Sequence, residues 1–339
     1  MRILLSGFFG FGNAGDEMIY SVLERNLIDE GFEVLSLVKS PSQPKEIKRD
    51  NFAEIFSAIR FSDVVISGGG GLLQDVTSSK SLYYYLLIIK WGIILGKKTV
   101  VFAQGVGPID KCFNRFFVKS ILGKVDLITV RDSFSRELLS KIGIKKEVFV
   151  TGDLALLFDD KKETKVIENE DYIILSLAGS RGMPSIEKLV EIAHRIREVS
   201  SRKIYILPLF AAKDMAICRE VADKASLKVL TELTPEEMSY IISKAEFLIG
   251  VRYHSILMSA MNFVPFISLS YDPKVNTLTQ ELGMTSFSYK DLTIEDFTNA
   301  FKYCFTERSK LKDKLKSRIP VMKENAKGNF EILFNFLSR

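Results

Sequence analysis

The stretch Ile3-Leu4-Leu5-Ser6-Gly7-Phe8-Phe9-Gly10-Phe11-Gly12-Asn13-Ala14-Gly15-Asp16-Glu17 decides the fold class, because an apolar run passes through a glycine-rich turn toward a helix. Ser67-Gly68-Gly69-Gly70-Gly71-Leu72-Leu73-Gln74-Asp75 repeats the pattern after a second apolar run. Each glycine adds chain entropy that folding must overcome, so glycines gather at a strand end where backbone turns sharply or lies against a ligand. Both stretches therefore read as ligand loops. Further along, Val251-Arg252-Tyr253-His254-Ser255 closes another strand-like run with a cation and an imidazole.

Working outward, short apolar runs at 3–5, 34–38, 64–66, 100–102, 127–130 and 148–150 are separated mostly by helix-length segments. That alternation predicts a parallel sheet whose strand C-termini open on one edge, where residues 7–16, 68–75, 104–108, 131–133 and 152–153 should converge. The polar stretch 159–171 reads as a linker. A second set of strands is expected at 172–177, 204–207, 247–249 and 264–268, and Thr234-Pro235-Glu236-Glu237 carries the marks of a capped helix start. The expectation is α/β: two Rossmann-like domains, 1–160 and 161–339, facing across a cleft as in GT-B glycosyltransferases, with a helix at the C-terminus.

Composition agrees with two ordinary domains, since 339 residues with 47% hydrophobic content can build full cores. Cys112, Cys218 and Cys304 are widely spaced, which disfavours a disulfide framework and a zinc site and suggests a reducing cytoplasm. The first residues run straight into a strand, so no export signal is expected. The apolar stretch 82–95 is divided by Lys90 and falls short of the roughly 20 residues a membrane span needs, which predicts a buried crossover helix. A net charge of +5 is a mild bias that identifies no partner. Basic residues at 308–327 alternate with acids and read as a solvated helix face, with docking near anionic lipid as the alternative.

Gly10-x-Gly12-x-x-Gly15 matches the dinucleotide fingerprint. Against it, the second strand ends Leu37-Val38-Lys39-Ser40 without a ribose-binding acid, and Asp16-Glu17 put carboxylates where a pyrophosphate would meet the helix. NAD is therefore disfavoured. Asp16 reads either as a helix cap or as a base that orients a hydroxyl. Gly70 and Gly71 let backbone approach a ligand or form a tight turn, while Gln74 and Asp75 can bond sugar hydroxyls. His194 falls on a helix face. His254 differs, following a strand two residues after Arg252, and a catalytic or anion-binding role is expected of it. Arg131, Arg181 and Lys274 also follow strand-like runs, so with Arg252 they suggest a pocket for a small, multiply charged anion.

Taken together, residues 7–17, 67–75, Gln104-Gly105-Val106-Gly107-Pro108, Arg131-Asp132-Ser133-Phe134-Ser135, Gly152-Asp153-Leu154-Ala155, Arg252-Tyr253-His254-Ser255 and Tyr271-Asp272-Pro273-Lys274-Val275 resemble the polysaccharide pyruvyltransferases. The branch most like this chain is the bacterial cell-wall enzyme that pyruvylates N-acetylmannosamine for S-layer anchoring. The resemblance implies a GT-B-like transferase that moves pyruvate from phosphoenolpyruvate to a sugar, usually across its 4- and 6-hydroxyls, and releases phosphate. It implies His254 and Asp16 as catalytic residues, Arg252, Arg131, Lys274 and Arg181 on the donor, and Asn13, Gly70, Gly71, Gln74 and Asp75 on the acceptor. Arg181 departs from the family pattern, since Ala178-Gly179-Ser180 separate it from its strand. No metal and no cofactor beyond phosphoenolpyruvate as co-substrate are expected, and no nucleic acid. The expected partner is a lipid-linked sugar acceptor met in the cytoplasm, with peripheral contact at the inner membrane face and a homo-oligomer both compatible. A GT-B nucleotide-sugar glycosyltransferase or epimerase, or a non-catalytic sugar-binding assembly subunit, are the rival readings.

Overall fold

A computed structural model describes residues 1–76, 78–167, 171–179, 184–270 and 272–339. The chain divides into two units, one of Met1–Gly12, Asp16–Phe158 and Met322–Arg339, the other of Asn13–Gly15 and Asp159–Val321.

In the first unit the chain order is β1 (Arg2–Phe9), α1 (Ala14–Asp29), β2 (Glu33–Val38), β3 (Glu46–Lys48), α2 (Phe52–Phe61), β4 (Val64–Gly68), α3 (Ser79–Ile94), β5 (Lys98–Gln104), α4 (Cys112–Leu122), β6 (Leu127–Val130), α5 (Ser133–Ile142) and β7 (Phe149–Val150). The sheet runs β3-β2-β1-β4-β5-β6-β7 with every pairing parallel. β4 is buried throughout, as a strand covered by helices on both faces must be. The expected strands are all present. β3 was not expected, being a three-residue edge strand, Glu-Ile-Lys, with no apolar run to announce it. The apolar stretch 82–95 lies in the crossover helix α3, with Leu82, Tyr85, Leu86, Ile88 and Ile89 buried. Among the described residues no helix is long and apolar enough to cross a membrane.

The second unit follows the same plan: β8 (Tyr172–Ser176), α6 (Ile186–Ser200), β9 (Lys203–Ile206), α7 (Ala211–Ala225), β10 (Lys228–Val229), α8 (Pro235–Lys244), β11 (Phe247–Gly250), α9 (Tyr253–Met261), β12 (Phe266–Ser270), α10 (Pro273–Glu281), β13 (Thr285–Ser288) and α11 (Ile294–Thr306). Its parallel sheet is ordered β10-β9-β8-β11-β12-β13. α8 starts where its capping box predicts: the Thr234 N–H donates to Glu237 Oε2 at 3.0 Å, and the Glu237 N–H donates to Thr234 Oγ1 at 3.3 Å. β10 and β13 escaped the hydrophobic pattern, one having two residues and the other reading Thr-Ser-Phe-Ser.

The last helix, α12 (Arg308–Leu337), contributes residues up to Val321 to the second unit and those from Met322 to the first. The expected assignment of 161–339 to one domain is corrected there. Asn329 shows why, because its fully buried amide is saturated within the first unit. Its Oδ1 accepts from Thr129 Oγ1 and Thr151 Oγ1, both at 2.7 Å, and its Nδ2 donates to the Gly152 and Ala326 carbonyls. Leaving such groups unbonded in a core costs about 1–3 kcal/mol each, so the helix is pinned in place.

Candidate active site

In each sheet the strand order reverses once, between β1 and β4 in the first unit and between β8 and β11 in the second. Ligands of open α/β sheets bind outside the strand C-termini at such a reversal. The two glycine loops leave β1 and β4, and the Arg252–His254 segment leaves β11, so the sequence motifs fall at these points.

In the first unit Asp16 lies in the first turn of α1 and is buried. A Cβ on Gly70 would come within 2.7 Å of Asp16 Oδ1, and Cβ atoms on Gly68 and Gly69 would meet Leu23 at 2.8 Å and Ile19 at 2.1 Å. Residues 16, 19 and 23 share one face of α1. The glycine run is thus needed for close approach of α1, and Gly70 leaves room for the Asp16 carboxylate. Gly69 and Gly70 also adopt φ of 63° and 70°, which favours glycine. The loop's backbone bonds sideways to the segment after β5: Gly105 N–H donates to Gly70 O and Gly107 N–H to Leu73 O, each at 2.7 Å. Gly71 is exposed and Gln74 half-buried.

Asp75 does not stand ready for a sugar. Its carboxylate accepts from the Asp110 N–H at 3.0 Å, the Lys111 N–H at 3.1 Å and Asn114 Nδ2 at 2.7 Å, clasping the start of α4. Burial pushes its pKa up, but these donors outweigh burial and hold the group below the usual Asp value. The Glu17 carboxylate is also bonded within the unit, accepting from the Gly10 and Gly12 N–H groups at 3.2 and 3.0 Å. A dinucleotide phosphate seeking those donors would have to displace the protein's own carboxylate.

Arg131 is also engaged internally. Its Nη1 donates to Asp153 Oδ2 at 2.7 Å and its Nε to Asp132 Oδ2 at 3.3 Å, with the Arg131 and Asp153 side chains only 4% and 2% exposed. A Cβ on Gly105 would sit 2.6 Å from Arg131 Nε, so that glycine lies flat on the guanidinium.

One feature near the first loop was missed from sequence. Phe8 and Phe11 stack at 4.0 Å, Lys39 Nζ stands 5.1 Å from the Phe11 ring centre, and the Arg49 guanidinium lies 4.9 Å from Phe11 and 4.2 Å from Tyr84. Aromatic faces beside two cations can hold an apolar sugar face and an anionic group together. The sequence reading placed both phenylalanines in the first glycine-rich loop without a role of their own, and nothing local marks Lys39 or Arg49.

In the second unit Arg252 is the N-cap residue of α9, His254 lies in the helix's first turn, and Lys274 lies in the first turn of α10 beside the N-cap Asp272. Because β11 and β12 are adjacent and parallel, the two helices begin at the same edge. The α10 start is capped by the Asp272 carboxylate, which accepts from the Lys274 N–H at 3.0 Å, so an anion there would rely on the α9 start and on the Arg252, His254 and Lys274 side chains. Arg252 and Lys274 are half-buried.

Asp214, in the first turn of α7, orients Arg252 and had no sequence signal. Arg252 Nε donates to Asp214 Oδ2 at 2.6 Å and Nη2 to Oδ1, a forked pair in which the Asp side chain is fully buried and the Arg side chain 18% exposed. The same carboxylate accepts from the Gly179 N–H at 2.9 Å and the Phe210 N–H at 3.0 Å, tying the loops after β8 and β9 to the arginine. Cys218, one turn further along α7, is buried; burial first, and Asp214 second, push its thiol up to about 12, so it is not a nucleophile near neutral pH. Asn13, grouped with this unit, forms an isolated antiparallel bridge with Phe210. Arg181 lies outside the described residues.

Comparison with known proteins gives the fold and the family. A putative UDP-N-acetylglucosamine 2-epimerase from Listeria monocytogenes superposes with a TM-score of 0.64 at 14% identity, covering 94% of this chain and 91% of that one. A glycosyltransferase from Rickettsia africae superposes at 0.63 with 13% identity over 99% and 98% of the two chains. A UDP-GlcNAc 2-epimerase from Methanocaldococcus jannaschii gives 0.60 at 16% identity over 88% and 91%. Such low identities speak for the GT-B fold alone. No curated protein sequence matches the chain. The sequence model of the polysaccharide pyruvyl transferases matches residues 13–273, a span that takes in Asp16, Arg131, Arg252 and His254, and the chain belongs to that family.

Proposed function

We propose that the chain transfers pyruvate from phosphoenolpyruvate to two hydroxyls of a sugar, forming a 4,6-linked ketal and releasing phosphate. The sugar is N-acetylmannosamine of a lipid-linked cell-wall precursor, the product serves S-layer anchoring, and the enzyme works in the cytoplasm. The observation that carries the reading is the grouping of Arg252, His254 and Lys274 at the starts of α9 and α10, inside or beside the family match.

Phosphoenolpyruvate carries a carboxylate and a phosphate. A forked guanidinium fixed by a buried aspartate suits the former or the latter as a planar clamp, and Lys274 adds a point charge. In the first step a sugar oxygen bonds to C2, its proton leaves to a base, and C3 gains a proton. In the second step the other hydroxyl loses its proton and bonds to C2 as the C2–O bond to phosphate breaks. Asp16 is assigned as the base or orienting group on the acceptor side and His254 as the general acid/base on the donor side. Arg131, held by two carboxylates, is assigned to support of the first unit's sheet edge.

Incubation of lipid-linked N-acetylmannosamine acceptors with the protein and phosphoenolpyruvate, followed by mass spectrometry, tests the reading. The expected result is a product heavier by one pyruvate ketal with equal release of phosphate. Turnover of a UDP-sugar with no dependence on phosphoenolpyruvate would replace this reading by a nucleotide-sugar reaction on the same fold.

A further inference from the structure

The helix pair α3–α4 presents to solvent what a soluble surface normally hides. Phe113 and Phe116 on α4 are 64% and 63% exposed, Tyr83 on α3 is 39% exposed, and Phe117 joins them. Phe117 contacts Phe113, Tyr83 and Phe116 edge-on at ring-centre distances of 4.6, 5.8 and 5.9 Å, so these four rings form one cluster. Beside it a groove of about 270 Å³ runs between the helices, floored by Leu86, Leu87 and Ile121. Phe117 packs with its inner side against the core of the first unit, while Phe113 and Phe116, four and one residues before it, stand in solvent.

The charged residues of the two helices carry one sign. Neither α3 nor α4 contains an acid, and both contain bases, Lys80, Lys90, Arg115 and Lys119. Between Ser78 and Lys124 Asp110 is the only acid, against eight lysines and arginines. Lys90 itself lines the groove. The basic stretch at 308–327, by contrast, interleaves Asp313 and Glu324 with its bases.

We infer that the α3–α4 face docks on the surface of an anionic lipid bilayer. The aromatic rings enter the boundary between headgroups and acyl chains, and the bases reach outward along their aliphatic stems to lipid phosphates. The Tyr83 hydroxyl donates to Asn114 Oδ1 at 2.6 Å, so the ring is held in place before contact. A second copy of the chain is the poorer occupant, because pairing this face with itself would bring together two helix pairs that carry bases and no acid. An apolar patch on two helices whose charged residues are all bases is complementary to a surface that is apolar beneath and anionic above. The inference rests on this surface alone and does not depend on the donor or the acceptor of the reaction.

Flotation of the full chain with vesicles tests it. The protein should float with vesicles of phosphatidylcholine and phosphatidylglycerol, float poorly with phosphatidylcholine alone, and release at high salt. The Phe113→Glu/Phe116→Glu variant changes two exposed positions and should keep its circular dichroism and melting temperature. It should lose binding by about tenfold or more, since moving one phenylalanine fully out of water is worth roughly ten- to a hundredfold. No flotation with the anionic vesicles, or equal flotation of the variant, overturns the inference. A concentration-dependent dimer in sedimentation velocity that the variant abolishes overturns it in favour of self-association.

Discussion

The carboxyl edges of the two sheets follow one plan and end in different chemistry. In each unit an arginine at a strand end is paired with a buried aspartate, Arg131 with Asp153 and Arg252 with Asp214. In the first unit both partners lie inside, a second carboxylate joins them, and Glu17 and Asp75 likewise bond to the unit's own N–H groups. In the second unit only the aspartate is fully buried, and the arginine stands at the N-cap position of a helix whose first turn holds the histidine. On the proposed function, an arginine–aspartate pair therefore serves as a rivet in one place and as a mount for a binding group in the other. Burial of the cation distinguishes the two, and residue type alone does not.

The largest effect expected is on turnover. Asp16→Asn preserves shape beside Gly70 but removes a base, and should lower single-turnover rates by roughly 10² to 10⁴ with little change in phosphoenolpyruvate affinity. His254→Gln should fall in the same range. A large loss of donor affinity in Asp16→Asn would place the donor on the first unit and reverse the comparison.

Arg131→Ala comes next. It leaves the Asp153 carboxylate buried without its guanidinium, which typically costs about 3–5 kcal/mol, read from urea unfolding. A cost under about 1 kcal/mol, as for an exposed pair, would show that Arg131 is not a rivet.

The smallest effect is the pH response of Asp75. A carboxyl whose folded pKa lies below its unfolded value, near 4, contributes stability above that value and loses it as pH falls through the lower folded one. The stability difference between the wild type and Asp75→Asn should therefore be constant near neutral pH and shrink below about pH 4. A difference that grows on acidification would mean that Asp75 is not clasped by the start of α4.

Much of the fold was legible in the sequence because buried parallel strands must be apolar on both faces, as β4 and β11 are. β3, β10 and β13 were not legible, since short or polar edge strands take their place from neighbours rather than from their own composition. The position of His254 and Arg252 could be read, because a strand end followed by a helix start is a local pattern. Asp214 could not, being an ordinary acid in the first turn of a helix whose partner lies 38 residues away. The glycine loop at residues 68–71 read as a ligand contact, and the sequence did not show that its glycines make room for another part of the chain. What approaches it is α1, an element that only the folded chain brings there.

Calorimetric titration of phosphoenolpyruvate into the wild type, Arg252→Lys and Arg131→Lys tests the central claim most directly. Lysine keeps the charge and loses the fork, and losing a charge-assisted hydrogen bond costs roughly ten- to a hundredfold in affinity. The account predicts that loss in Arg252→Lys, with Arg131→Lys binding the donor as the wild type does. Undiminished binding by Arg252→Lys, or a loss confined to Arg131→Lys, would contradict it.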